Sequence, residues 1–490
     1  MHTTFKILTT ILSPVHIGTG EQLTAVGEYL TTQTKIYFLK HEDLMVRLNS
    51  ANLLDDYTNK ILDAGNNFDF EKVLREEYEI SYLEENLVDR ALKLVEKDLS
   101  ITSNNNLSVC IKTAQKAYLP GSSIKGMLRT AILFNVLKKD RRLREKAESA
   151  LNSVFLYNSD NLLNKINTQW RELENGSKKN PEAILPEMVF KSIRPYDSTQ
   201  IDDSGVSVYQ VYRQHLYDTE VGGVDWLVES IEKDSKLNFD FTLNPVDIEK
   251  YSNFPFIQTP NIESLFNIIN DCSLTIIDFE LDIINATKAP EDVKLAIRNQ
   301  LENYKKEIES ASGKYAFARI GKGKSIFYQT ILSILRDDIR EKIIELLMKE
   351  KTNFPQSIVL TAKDYQMMGW VKLEVAGVKA IEDKKSSAKQ SPSPENVETT
   401  TKPVKVEVKK IPLEDRKIFN NEITVPIQVG TELSIYFYEP GKIKTKINEQ
   451  LFENVQLSRS KYKIPKPGEL IKVIIKQYSE AKGFIQLSII

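Results

Sequence analysis

The stretch YLPGSSIKGMLRTAIL, residues 118–133, sets a Pro-Gly turn, two serines and then two cations, Lys125 and Arg129, at the start of an otherwise apolar helical pattern. Pro120-Gly121 suits a turn, and Ser122 or Ser123 suits an N-cap. Lys125 and Arg129 are four residues apart, so they share one helix face, about 6 Å apart along the axis. Two like charges at that spacing cost a helix a few tenths of a kcal/mol. Gly121 and Gly126 let another chain approach closely, and a helix N-terminus offers free N–H groups and a partial positive charge. These are the parts of a phosphate seat. They would equally make a plain capped helix start with two solvated cations. The flanking sequence favours the phosphate. From Ile111 to Lys146 the basic residues are Lys112, Lys116, Lys125, Arg129, Lys138, Lys139, Arg141, Arg142, Arg144 and Lys146, against only Asp140 and Glu145, in a chain whose formal net charge is −2. Such a local excess suits a nucleic-acid backbone.

A second Gly/Lys segment, ARIGKGKS (318–325), interleaves Arg319, Lys322 and Lys324 with Gly321 and Gly323, and no acidic residue lies between Gly313 and Leu335. Its spacing is not that of a Walker A loop. A plain surface turn fits it about as well. A third segment, SPVHIGTG (13–20), carries His16 into a turn with Gly18 and Gly20. Histidine can serve as a general base in RNA cleavage, but His16 has no sequence-local partner and a structural role is the commoner one. No carboxylate pair has metal or acid/base spacing, and the four histidines (His2, His16, His41, His215) are dispersed. No metal and no cofactor are expected. Cys110 and Cys272 stand far apart, which argues against a disulfide framework and for a reducing, cytoplasmic compartment.

These segments need elements to hold them. At 490 residues, 41% hydrophobic and 27% charged, the chain reads as two to four globular domains. No signal peptide and no membrane span are expected. FKILTTILSPVHI (5–17) reads as a strand, GTGEQ as a turn, KIYFLK (35–40) as a strand, 41–100 as charged helix, LSVCIKTA (107–114) as a strand, and the opening segment as a helix to Lys139. Residues 140–186 read as a helical polar insertion. A second series follows: MVFKSIRPYDSTQI (188–201), strands over 206–215, 224–231 and 236–244, helices over 261–285 and 290–311, then strand, Gly/Lys loop and helix from 315 to about 339. The repeated strand–loop–helix theme suggests two related halves. The Lys-, Ser-, Thr- and Pro-rich run 383–410 reads as a disordered linker. Residues 411–490, with about five short strands, suit a small OB-type barrel. The expected fold class is therefore α+β: tandem ferredoxin-like halves with helical insertions (1–187 and 188–382), the linker, and a C-terminal OB-like module.

Together these motifs resemble the RAMP superfamily of CRISPR-associated proteins. TTILSPVHIGTGE is similar to the family's first strand and turn. Gly121, Ser122, Ser123, Lys125, Gly126 and Arg129 match its G-S-S-x-K-G-x-x-R segment, and ARIGKGKSIFYQTI is similar to its C-terminal glycine-rich loop, with lysines in some glycine places. RPYDSTQI is similar to a turn of Csm-type members. The large insertions and long helical region most resemble the member at the tip of the type III-A Csm filament, which caps the 3′ end of the mature guide RNA. The resemblance covers about residues 1–370. It implies an RRM-like, non-catalytic subunit supporting guide-RNA maturation and antiviral defence. Its RNA contacts would be made by His16, Gly18, Gly20, Gly121, Ser122, Ser123, Lys125, Gly126, Arg129, Arg319, Gly321, Lys322, Gly323 and Lys324. The implied partners are CRISPR RNA and the other Csm subunits, above all the repeated backbone RAMP subunit, with target RNA and host ribonucleases as further contacts. Three alternatives stay open: a repeat-RNA endonuclease using His16 as base, a subunit binding the 5′ handle, and an assembly protein whose basic patches meet only protein.

Overall fold

The computed structural model describes chiefly residues 2–64, 68–95, 106–154, 187–217, 225–245, 260–348 and 357–381, and beyond these the strands between 421 and 489. The linker expected over 383–410 and most of the insertion beyond residue 154 lie outside the described residues.

The first strand, β1 (His2–Ile11), buries every second residue from Phe5 through Ile7 and Thr9 to Ile11. That period of two fits a strand with one face on a core. It is the middle of a five-stranded sheet in which every pairing is antiparallel. β1 pairs with β12 (Lys236–Leu243) on one side and β15 (Trp370–Ile381) on the other; β9 (Ile193–Pro195) and β13 (Tyr315–Arg319) form the edges. Three helices supply the apolar surface that belongs with this sheet: α3 (Gly121–Lys139), α6 (Ile262–Ala286) and α7 (Glu291–Ser310). The Asn261 side chain caps α6 by accepting from Ser264 N at 3.1 Å. Inside α6, Asn270 donates to the Tyr315 carbonyl (2.7 Å) and accepts from Phe317 N (2.9 Å), while Ser273 donates to the Phe317 carbonyl (2.7 Å). Two buried polar side chains thus satisfy the backbone of an edge strand that no further strand covers.

The second sheet has eight strands, in the order β2 (Gly18–Leu23), β6 (Leu107–Cys110), β11 (Asp225–Ile231), β10 (Val206–His215), β5 (Val88–Leu94), β4 (Lys35–Leu39) and β3 (Tyr29–Thr31), with β14 (Ser357–Thr361) also on β10. Both sheets take strands from residues 1–187 and from 188–381. Residues 1–386 accordingly form one compact unit and 387–490 another. In the second unit, β17 (Glu432–Phe437), β21 (Glu469–Ser479), β22 (Phe484–Ile489) and β20 (Asn454–Ser458) make a four-stranded sheet, and β16 (Asn421–Ile423), β18 (Thr445–Ile447) and β19 (Gln450–Phe452) a three-stranded one.

The strands expected at 35–40, 107–114, 206–215, 224–231 and 236–244 appear at 35–39, 107–110, 206–215, 225–231 and 236–243, and the helices expected from the GSSIKG segment to 139 and over 261–285 and 290–311 appear at 121–139, 262–286 and 291–310. Three expectations are corrected. GTGEQ is not a turn: it lies in β2, the exposed edge of the second sheet. Residues 88–94 are strand β5 rather than helix; VDRALKL alternates in burial, with Asp89 and Lys93 exposed and Arg90 turned inward to Glu229. After the Gly/Lys loop there are only short 3₁₀ turns before α8 (Asp337–Met348), so the second strand–loop–helix unit is looser than the first. Among the described residues no helix is long and apolar enough to cross a membrane.

Candidate nucleic-acid interface

The segments around His16 and Gly321, some 300 residues apart, meet backbone to backbone. Lys322 N donates to the His16 carbonyl at 2.8 Å. Gly321 has φ +76°, and a Cβ there would lie 2.2 Å from that same oxygen. Only glycine satisfies both the conformation and the approach. His16 itself is 2% exposed, and its Nδ1 donates to the Glu229 carbonyl at 2.6 Å. Its side chain is therefore no surface contact for RNA, which corrects the expected role: it is a buried post beneath the loop. Gly18 and Gly20 follow on the exposed start of β2.

Burial lowers the His16 pKa from 6.5 to about 4; the Glu229 hydrogen bond opposes this and the Lys322 charge adds to it. The ring is neutral at pH 7. As the pH falls from 6.5 towards 4, the unfolded chain takes up a proton that the folded chain refuses, so folded stability declines across that window, by about 3 kcal/mol in all. Urea unfolding at pH 7, 5.5 and 4.5 is expected to show this decline, and a shallower one in His16→Asn. Equal pH slopes in the two proteins would assign the acid sensitivity to other groups.

Glu229 anchors the same corner. Its side chain is fully buried and accepts from Arg90 Nη1 (2.7 Å), Lys112 Nζ and Cys110 N (3.0 Å). Burial opposes its ionisation, but the hydrogen bonds and charges of Arg90 and Lys112 prevail and hold the carboxyl below its ordinary range.

Beside this corner the Gly/Lys loop lies over one face of the second sheet. Tyr209, Val211 and Arg213 share that face of β10, since direct cross-strand partners point the same way: Tyr209 opposes Val228, Val211 opposes Trp226, and Arg213 opposes Val359. Val211, Val228 and Met368 form a small buried cluster, with Tyr209, Trp226 and Val359 partly covered around it. Lys322 Nζ sits 5.2 Å from the Trp226 ring centroid and donates to Ser108 Oγ at 3.0 Å. Burial, then the charge of Arg213, pushes the Lys322 ammonium below its ordinary pKa; burial, then Arg319, does the same to Lys324. No salt bridge joins Arg213, Lys322 or Lys324 to a carboxylate among the described residues. Partly desolvated cations that repel one another beside an aromatic face form a site tuned for an anion. Sequence reasoning found Lys322 and Lys324 but missed Arg213, Tyr209 and Trp226. The signal was the alternation in VSVYQVYRQH, read only as a strand.

Arg319 is corrected in the other direction. It is 0% exposed, donates from Nε to the Met368 carbonyl (3.1 Å) and from Nη2 to the Gly323 carbonyl (2.8 Å), and lies near the Tyr328 and Trp370 rings. It shapes the loop from below and is shielded from solvent.

The GSSIKG segment is also held differently from the sequence expectation. The cap position is Pro120, without a side-chain cap, and Gly121 is the first helical residue, so neither Ser122 nor Ser123 is the N-cap. Gly121 N donates to Asp197 Oδ1 at 2.7 Å, and Leu119 N donates to Ser198 Oγ at 2.8 Å. A Cβ on Gly121 would meet the Pro195 carbonyl at 2.5 Å. RPYDST thus docks on the helix start, and a carboxylate of the chain already occupies its first N–H. Ile124, Leu128, Ala131, Ile132 and Val136 are buried as expected. Lys125 lies 4.6 Å from the Phe190 ring centroid, Arg129 has a contact of its own, and Ser122 and Gly126 are exposed. Much of the basic excess is neutralised across the fold: Lys112 by Glu229, Lys116 by Asp202, Lys138 by Asp271 and Arg141 by Glu145. A charge count along the sequence could not see the first three partners.

The family model of the RAMP superfamily matches residues 9–453. Among curated proteins, the chain is 22% identical over 281 residues to "CRISPR system Cms protein Csm5" of Methanocaldococcus jannaschii, covering 57% of this chain and 63% of that protein. It is 25% identical over 255 residues to the protein of the same name from Streptococcus thermophilus, covering 49% and 64%. The matches thus span a little under two thirds of these relatives' length. Among solved structures, a chain of the cryo-EM Csm–crRNA–target RNA ternary complex of a type III-A CRISPR-Cas system shares the fold with TM-score 0.54 at 22% identity, over 76% of this chain and all of that one. The crystal structure of T. onnurineus Csm5 does so with TM-score 0.51 at 18% identity, over 74% and 99%.

Proposed function

The chain belongs to the RAMP superfamily, and from that membership we propose that it is a non-catalytic CRISPR RNA-binding subunit of a type III-A Csm interference complex. In this reading it is the fifth subunit, holds the 3′ end of the guide RNA, and docks on the adjacent repeated backbone RAMP subunit. It thereby supports guide-RNA maturation and antiviral defence in the cytoplasm. The observation that carries the reading is the set of cations without a carboxylate partner among the described residues: Lys322 against the Trp226 ring and repelled by Arg213, with Arg213 and Lys324 lining the adjoining cavity. Backbone phosphates would neutralise it without reading sequence, and an unpaired base would stack on the aromatic surface. The match to named Csm5 proteins supports the choice of subunit. Burial of His16, the one candidate base, weighs against an endonuclease built on it. The reading keeps a ferredoxin-like architecture in which the stretches 1–187 and 188–382 interleave their strands in both sheets, and an OB-like module over 411–490 that adds an RNA or protein contact.

The test is photo-crosslinking in the assembled complex, with 4-thiouridine at either end of the guide RNA. A 3′ label is expected to attach to peptides carrying Ile320–Ser325 or Asp225–Ile231, and a 5′ label to other chains. The reverse pattern would make this the 5′-handle subunit. Attachment from neither end would leave a protein-contact role.

A further inference from the structure

One cavity behind the Gly/Lys loop has a floor that the reading above does not use. It measures about 330 Å³ and opens between α6, α7, the loop and the pair β10–β14. Arg213, His215 and Lys324 stand at its mouth, and Ile284, Ile297, Leu301, Phe327, Val359 and Met367 form its walls. Glu280 of α6 lies in the lining, 6% exposed. Arg319 Nη1 forms an ion pair with its Oε1 at 3.5 Å, but neither carboxylate oxygen has a well-formed hydrogen bond, and the Ser325 hydroxyl is close by. Burial pushes the Glu280 carboxyl above its ordinary range, against the Arg319 charge. A buried carboxylate held by one long ion pair and no well-formed hydrogen bond costs stability. Such a group is intelligible where a ligand supplies further donors.

The mouth and walls say which donors. Cations at the rim suit a phosphate, aliphatic and aromatic walls suit a flat ring, and the volume is at the low end for small-molecule pockets, enough for one nucleoside. Two neighbouring carboxylate oxygens match two neighbouring N–H donors on one edge. Guanine carries such a pair, N1–H and the N2 amine; adenine, cytosine and uracil each set a lone donor beside an acceptor. We propose that this cavity receives the flipped-out base of one unpaired guanosine of the bound RNA, with Glu280 accepting from its N1–H and N2 amine and Arg213 and Lys324 holding its phosphate. The proposal rests on the RNA-binding reading above and adds base selectivity to it.

Fluorescence anisotropy with the full chain tests it, using a uridine 12-mer, the same 12-mer with one central guanosine, and the same with inosine, which lacks the N2 amine. The guanosine 12-mer is expected to bind about tenfold tighter than the uridine 12-mer, with inosine between them. In Glu280→Gln the guanosine-to-uridine ratio is expected to fall to about one. Ser357→Phe, which narrows the mouth and leaves the Glu280–Arg319 pair in place, is expected to do the same and guards against a folding defect in the first variant. Equal affinities in the wild-type chain, or a preference that survives in both variants, would overturn the proposal. If the uridine 12-mer binds with steep salt dependence but guanosine adds nothing, the pocket assignment alone fails. If no 12-mer binds, the RNA-binding reading fails with it.

Discussion

Replacing Arg213, Lys322 and Lys324 together by alanine is expected to lower guide-RNA affinity roughly 50-fold at 0.15 M salt. The figure follows from counterion release: each phosphate neutralised on a single strand contributes about 0.7 to the slope of log affinity against log salt, so three contribute about 2.1. The loss is expected to be similar for unrelated sequences, because phosphate contacts position the strand without reading it. Lys125→Ala with Arg129→Ala is expected to cost much less. Lys125 is engaged with Phe190, Arg129 has its own contact, and the N–H of Gly121 is taken by Asp197. If the Lys125/Arg129 pair proved the more damaging of the two sets, the RNA path would run by the GSSIKG helix instead of the loop. Circular dichroism of both variants separates a binding loss from an unfolded chain.

Glu229→Ala is expected to destabilise the fold by about 3–5 kcal/mol. Removing one partner from a buried ion cluster leaves the others uncompensated. Here the survivors are Arg90 and Lys112, with side chains only 13% and 12% exposed, and the backbone N–H of Cys110 also loses its acceptor. The same carboxylate makes the fold acid-sensitive. Its folded pKa lies below the ordinary 4.5, so its stabilisation is complete above pH 4.5 and is lost as the pH falls through the lowered value. Urea denaturation at pH 7 is the measurement, and a loss under 1 kcal/mol would mean that water or a rearranged loop replaces the carboxylate. Because Glu229 and His16 share one corner under the Gly/Lys loop, the variant is also expected to loosen the RNA site.

The elements that carried a clean period were legible from the sequence. Strand β10, with its alternating VSVYQVYRQH, and helix α6, with its apolar stripe, fall within a residue or two of their expected bounds. Strand β5 was not legible, because the charged run around it favours helix locally and only pairing with β4 and β10 makes it a strand. The site was legible in part. Gly321, Lys322 and Lys324 could be picked out because glycine and lysine interleave there, but exposure could not. Arg319, one turn of sequence away, is buried while Lys322 and Lys324 are only partly covered. Arg213 and Trp226 join the site through strand register, and Glu229 cancels Lys112 across 117 residues. Relations of this range carry no local signature. They also reverse the weight given to the ten-to-two charge excess around GSSIKG, since Asp202, Asp271 and Glu229 neutralise much of it.

The central claim is that backbone phosphates complete the cation group on the Gly/Lys loop, and the salt dependence of guide-RNA binding tests it most directly. Affinity is to be measured from 0.05 to 0.5 M salt for the wild-type chain and for the Arg213/Lys322/Lys324 triple alanine variant. The account predicts that the variant's log–log slope is shallower by about 2. Parallel lines for the two proteins would contradict it, because they would mean that these three cations meet no phosphate.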